Sequence, residues 1–162
     1  MQYMCALIAV KDIEASKRFY TGLLGRKIVG DLGANVVLEG GIALQTLGTW
    51  AEFISRPKED IKFGGKQSEL VFEEEDFDGF LQTLAGWPEV EKLHDVREYA
   101  WGQRVVRVLD PDGHVVEIGE NMKVVVKRFF LQGMGLEEVS RRTMMPEFAE
   151  MCQKELQQEG KL

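Results

Sequence analysis

The stretch Trp101-Gly102-Gln103-Arg104-Val105-Val106-Arg107-Val108-Leu109-Asp110-Pro111-Asp112-Gly113-His114-Val115-Val116-Glu117-Ile118-Gly119 reads as two β-strands joined by a tight turn. The strands are Arg104 to Leu109 and Val115 to Gly119. In the turn, Asp110 can bond back to the backbone, Pro111 presets φ at the second position and Gly113 closes a type I geometry. His114 follows directly and reads as a turn residue rather than a ligand.

Upstream of this hairpin, Leu70 to Phe72 is a short strand core and Asp76 caps a helix with an apolar stripe of Phe77, Phe80, Leu81 and Leu84 before Gly86. Val90 to Arg97 reads as a further β-rich stretch. The same order opens the chain. Met4 to Val10 is a continuous apolar run, Asp12 is a helix N-cap, and Ala15, Phe19 and Leu23 recur at helical spacing before Gly25. Three short apolar groups follow, Lys27 to Leu32, Val36 to Glu39 and Ile42 to Leu47, separated by Gly33-Ala34-Asn35 and Gly40-Gly41. Ile13 and Tyr20 have the spacing of Phe77 and Leu84, so a whole β-α-β-β-β unit repeats. The intervening Gly48 to Lys66, with Pro57 and mixed charge, reads as a loop. The fold class is therefore α+β, built from two β-α-β-β-β modules; the resemblance given below implies that they form a curved mixed sheet with a ligand cavity.

From Asn121 the pattern becomes helical: Lys123 to Gln132, Leu136 to Arg142 and Pro146 to Gln158. Residues 1–120 thus form the main domain and 121–162 a helical extension whose Phe129, Phe130, Val139, Phe148 and Met151 need cover. Gln132 to Pro146 has a helix-turn-helix look, but seven basic against six acidic residues in 121–162 leave no basic face. A net charge of −7 over 162 residues likewise argues against nucleic acid or an anionic membrane surface. No apolar run has the length of a membrane span. Cys5 and Cys152 lack CxxC spacing, which points to a reducing, cytoplasmic setting.

The segments Leu7 to Asp12 with Phe19-Tyr20 and Leu24-Gly25, Glu69 to Phe72 with Asp76-Phe77-Asp78, and above all Trp101 to Arg104 with Asp110 to Glu117 resemble the vicinal-oxygen-chelate superfamily, closest to its glyoxalase and bleomycin-resistance branch. The resemblance covers about residues 1–120 and implies a concave sheet face that holds the ligand and, in some members, a divalent ion. At the superfamily's metal positions this chain offers Cys5, Ala43, Glu69 and Glu117. Strand parity puts Cys5, Leu7 and Ala9 on one face, turns Glu69 away from Leu70 and Phe72, and turns Glu117 away from Val116 and Ile118. A thiol with two carboxylates is a poor match to the usual metal sites, with Gln45 as a replacement donor one register from Ala43. Trp101 and Arg104 either contact ligand, as the resemblance implies, or cap the sheet and pair with a carboxylate. Trp50 and Phe53 could line the same mouth.

Two functions follow. One is a binding protein for a small organic ligand of drug-like or cationic character, with a pocket of Cys5, Gln45, Trp50, Phe53, Glu69, Trp101, Arg104 and Glu117 and no expected cofactor. The other is a lyase, isomerase or dioxygenase with catalytic Glu117 and a divalent metal on Glu69, Glu117 and Gln45 or Cys5. The open sheet edges and the apolar tail predict a homodimer.

Overall fold

The computed structural model describes residues 1–162. They form two compact units: residues 1–69, 83–91 and 109–115 in the first, and 70–82, 92–108 and 116–162 in the second.

In the first unit, β1 (Ala6–Val10) pairs in parallel with β4 (Ile42–Thr46), and β3 (Asn35–Leu38) joins β4 to β2 (Ile28–Asp31) by antiparallel pairing, giving the order β1-β4-β3-β2. The helix α1 (Ile13–Arg18) starts where Asp12 accepts the amides of Glu14 and Ala15, and it runs into a π-helical turn, Phe19–Leu23, rather than continuing as one regular helix. That turn buries Phe19, Tyr20 and Leu23 together with Val10, Val36, Leu38 and Leu44. One expectation needs correction. The segment read as loop from Gly48 contains the helix α2 (Leu47–Phe53). Thr49 holds its first turn by bonding Thr46, and the Gln45 amide donates to Thr49, so local side-chain bonds offset the weak helix propensity of Gly48. A single 3₁₀ turn, Lys58–Asp60, is the other regular piece of that segment.

The second sheet has the order β5-β8-β7-β6, with β5 (Glu69–Glu74), β6 (Arg97–Glu98), β7 (Arg104–Leu109) and β8 (Val115–Glu120). The helix α3 (Phe77–Ala85) follows β5 as the stripe predicts. The expected β-rich stretch Val90 to Arg97 is instead irregular, with one bridge from Lys92 to Val108, and only Arg97–Glu98 pair as a strand with Val105 and Arg104. Every residue of β8 is buried, including Glu117 and Glu120.

The helices α4 (Met122–Leu131), α5 (Leu136–Thr143) and α6 (Pro146–Gln158) belong to the second unit and bury Val125, Val126, Phe129, Phe130, Val139, Ala149, Cys152 and Leu156 among themselves. Phe148 is half-buried against this cluster and Met151 stays exposed, so most of the tail's apolar surface is covered within its own unit. The extension is tied to the sheet by charge. Glu120 is 2 % exposed and receives Arg104 at 3.1 Å and Arg128 of α4 at 2.5 Å, while Arg104 also reaches Asp78 at 2.8 Å. Burial alone would raise the Glu120 carboxyl, but the two guanidiniums outweigh it and hold it below the usual value. Glu120→Ala would leave two arginines facing a buried gap, and urea denaturation should show a loss of about 3 kcal/mol; a loss within about 0.5 kcal/mol would show that the network does not hold the extension.

Candidate functional site

On the first sheet, the register pairs Leu7 with Ala43 and Ala9 with Gln45, and Asn35 with Gln45, so Leu7, Ala9, Asn35, Ala43 and Gln45 share one face. Gln45 is 1 % exposed, and both ends of its amide are used: Asn35 donates to its oxygen at 2.8 Å and its nitrogen donates to Thr49. Cys5 is half-buried ahead of β1, four residues before the partner of Gln45. That puts the two about 13 Å apart along the strand direction. They are not neighbours on this face. Trp50 is half-buried on α2 and Phe53 is exposed at its end.

On β5, Glu69, Val71 and Glu73 share the exposed side while Leu70, Phe72 and Glu74 are partly buried, the alternation expected from the sequence. Glu69 also lines a hollow of about 260 Å³ with Lys66, Gln67, Ser68 and Val115. In the second unit, Glu117 is 9 % exposed and forms an ion pair with Arg107 of the adjacent strand β7. Arg107 also donates to the Tyr99 hydroxyl at 2.7 Å. Neither Arg107 nor Tyr99 was singled out from the sequence, although the parity that selects Glu117 selects Arg107 as the charged residue in an otherwise apolar run. Trp101 lies elsewhere in its surroundings than a bare ligand face: its ring stacks on Tyr99 at 4.7 Å, its N–H donates to Gln103 at 2.9 Å, and it packs on the helical cluster. Arg104 takes the structural alternative, bonded to Glu120 and Asp78 with its guanidinium over Phe77.

The turn after β7 is a separate polar centre in the first unit. Asp110 is 4 % exposed; its carboxylate accepts the Asp112 and His114 amides at 2.9 and 2.8 Å and the Tyr20 hydroxyl at 3.0 Å. The His114 imidazole lies 2.9 Å from the same carboxylate, as a turn residue. Burial, and then the Asp110 charge, pushes the Tyr20 phenol far up, so it remains a donor. Beside this turn lies a cleft of about 510 Å³ walled by Lys11, Arg18, Phe19, Trp87, Glu89 and Asp112, in which Arg18 pairs with Glu89 and Lys11 with Asp112.

The family model of the glyoxalase-like domain matches residues 3–123. The chain belongs to the glyoxalase-like family, within the vicinal-oxygen-chelate superfamily. A protein of unknown function from Agrobacterium tumefaciens str. C58 is 39% identical, with 75% of this chain and 94% of that one covered at a TM-score of 0.67. A glyoxalase/bleomycin resistance protein/dioxygenase family enzyme from Burkholderia phytofirmans PsJN shares 16% identity over 74% of this chain and 98% of its own, at a TM-score of 0.64. A lactoylglutathione lyase from Agrobacterium tumefaciens shares 22% identity over 75% and 94%, at 0.57. These last two show the fold alone. No curated protein matches the chain. The α4 to α6 cluster begins at Met122, so nearly all of it lies beyond the family's domain.

The superfamily often uses a divalent ion, and the donors of this glyoxalase-like chain fit one poorly. Glu117 already neutralises a guanidinium, the Gln45 amide is saturated by Asn35 and Thr49, and the one imidazole beside a carboxylate is tied to the Asp110 turn. The geometry does fix a pH response. The hydrogen bond to Asp110 raises the His114 imidazole above its ordinary 6.5, with burial opposing. Stability from this pair is complete below 6.5 and is lost as pH rises through the raised folded value. Thermal melting from pH 5.5 to about 8.5 should fall across that window, and His114→Gln should flatten the fall; an unchanged slope in the variant would contradict the assignment.

Proposed function

We propose that this glyoxalase-like protein binds a small organic ligand on the sheet face of its second unit, around Tyr99, Arg107 and Glu117, in the manner of the bleomycin-resistance branch and without a tightly held catalytic metal. The observation that supports this is the Arg107–Glu117 pair. It sets a fixed positive charge, with planar N–H donors, beside the carboxylate that the superfamily resemblance marks for a metal. An isolated guanidinium or carboxylate at this depth would be costly, and each compensates the other.

The pair also changes the ligand class. The sequence pattern, with Glu69 and Glu117 as acids beside Trp101, points to a cationic ligand. With Glu117 neutralised and Trp101 stacked on Tyr99, a ligand carrying acceptor oxygens, such as an aromatic carboxylate, is favoured. Arg107 would orient its oxygens and the Tyr99 hydroxyl would donate to them. Of the other expected pocket residues, Gln45 and Arg104 are committed to structural bonds. A homodimer in a reducing cytoplasm stays part of the proposal, supported by two free cysteines and by the exposed Leu7 on edge strand β1. No helix is long and apolar enough to cross a membrane.

Two measurements test the reading. Protein purified without chelator should carry well under one equivalent of divalent metal; stoichiometric metal lost in Glu117→Gln would instead establish the metal-dependent lyase, isomerase or dioxygenase. Benzoate and related aromatic carboxylates should raise the melting temperature, and Arg107→Gln should weaken them about tenfold or more, the cost of a charge-assisted hydrogen bond. Equal binding by the variant would remove Arg107 from the site.

A further inference from the structure

The β6–β7 turn, residues 99–103, is held by contacts that a simple packing extension does not require. Gly102 has φ +86°, and a Cβ there would lie 2.1 Å from Cζ of Phe129 in α4, so the α4 ring is wedged directly onto the turn's backbone. Arg128 of the same helix donates to the Gly102 carbonyl at 2.7 Å. Arg142 of α5 donates to the Ala100 carbonyl at 3.2 Å, pairs with Glu98 at 3.5 Å, and lies over the Phe129 ring at 4.3 Å. Two arginines from two helices thus hold successive parts of one turn. Within it, Trp101 packs on the helices and bonds Gln103, whose amide donates to the Glu120 carbonyl at 2.9 Å.

From the turn the contacts lead into the candidate site. Tyr99 begins the turn, its amide bonding the Gln103 carbonyl at 3.0 Å and its ring stacking on Trp101 with an interplanar angle of 10°. Its hydroxyl accepts from Arg107, and Arg107 pairs with Glu117. We infer that α4 and α5 form a clamp on the β6–β7 turn that positions Tyr99, and through it Arg107, at the ligand face. The extension, which lies beyond the family's domain, is then a part added to set this site rather than a cover for the sheet. Arg128, Phe129 and Arg142 are positioning residues; none touches the ligand face itself. The functional meaning of the clamp rests on the ligand site proposed above, but its mechanics do not.

The test is ¹⁹F NMR of full-length protein made with 3-fluorotyrosine, which has three tyrosines, Tyr3, Tyr20 and Tyr99. Tyr99→Phe assigns the Tyr99 signal. Arg142→Ala, at a side chain 34% exposed and so tolerant of truncation, should move and broaden the Tyr99 resonance while the Tyr20 resonance, buried against Asp110, stays in place. Arg142→Lys should return it part of the way. Phe129→Leu, which keeps the helical cluster apolar but withdraws the wedge, should displace the same resonance. A lower melting temperature with an unmoved Tyr99 signal in both Arg142→Ala and Phe129→Leu would overturn the clamp, because that is what packing alone gives. Benzoate separates the two claims. A displaced Tyr99 with no benzoate binding in any form sinks the ligand reading and keeps the clamp; benzoate binding that is unchanged in Arg142→Ala, with Tyr99 unmoved, sinks the clamp and keeps the ligand reading.

Discussion

A carboxylate taken out of water needs a cation or several donors, and four such groups organise this chain: Asp110, Asp112, Glu117 and Glu120, each at most 9 % exposed. Asp110 is met by two turn amides, the Tyr20 hydroxyl and His114. Asp112 accepts the Lys11 amide at 3.0 Å, which pins the end of β1. Glu120 gathers Arg104 and Arg128 and so fastens α4 to the second sheet. Glu117 is met by Arg107, and that pairing sets the charge of the face proposed to take a ligand. In each case at least one compensating group comes from another element, so the need to satisfy one acid also fixes where two elements meet.

Much of the fold was legible because its elements carry strong local signals. Period-two runs bounded by glycines mark the strands, the Asp12 cap and the stripes of α1 and α3 mark the helices, and Pro146 opens α6 at its first position. The misreadings occur where local signals are weak and the fold decides. Gly48 argues against a helix, yet α2 forms because Thr46, Thr49 and Gln45 bond one another at the end of β4. The apolar Val90 and Leu93 suggested a strand, but that segment makes only scattered backbone bonds, such as Leu93 to the Arg107 carbonyl and Leu109 to the Glu91 carbonyl. The covering of Phe129, Phe130 and Val139 by the neighbouring helices could not be told from covering by a second chain, since periodicity shows that a face is apolar and not what meets it.

The site was legible as a face and not as chemistry. Parity separates Glu69 from its buried neighbours on β5, and the partner that sets the charge of Glu117 is a cross-strand neighbour ten residues earlier, in the register fixed by the turn where Asp110 bonds His114. Trp101 stood out for its size and its place in the motif, and its surroundings tie it to the extension as much as to any ligand. Tyr99 carries no motif at all; its proposed role depends on a turn held by Arg128 and Arg142, residues far along the chain.

The reading proposed for this face puts the Arg107 guanidinium where a divalent ion would have to bind Glu117. It is tested most directly by calorimetric titration of Mn²⁺, and then Zn²⁺, into the wild-type protein and into Arg107→Met. The wild type should show no saturable site at micromolar metal, because binding would have to displace Arg107 from Glu117, and the variant should gain at most weak affinity, since the released carboxylate is a single donor. Stoichiometric micromolar binding by the wild type, unchanged or lost in Arg107→Met, would contradict the account.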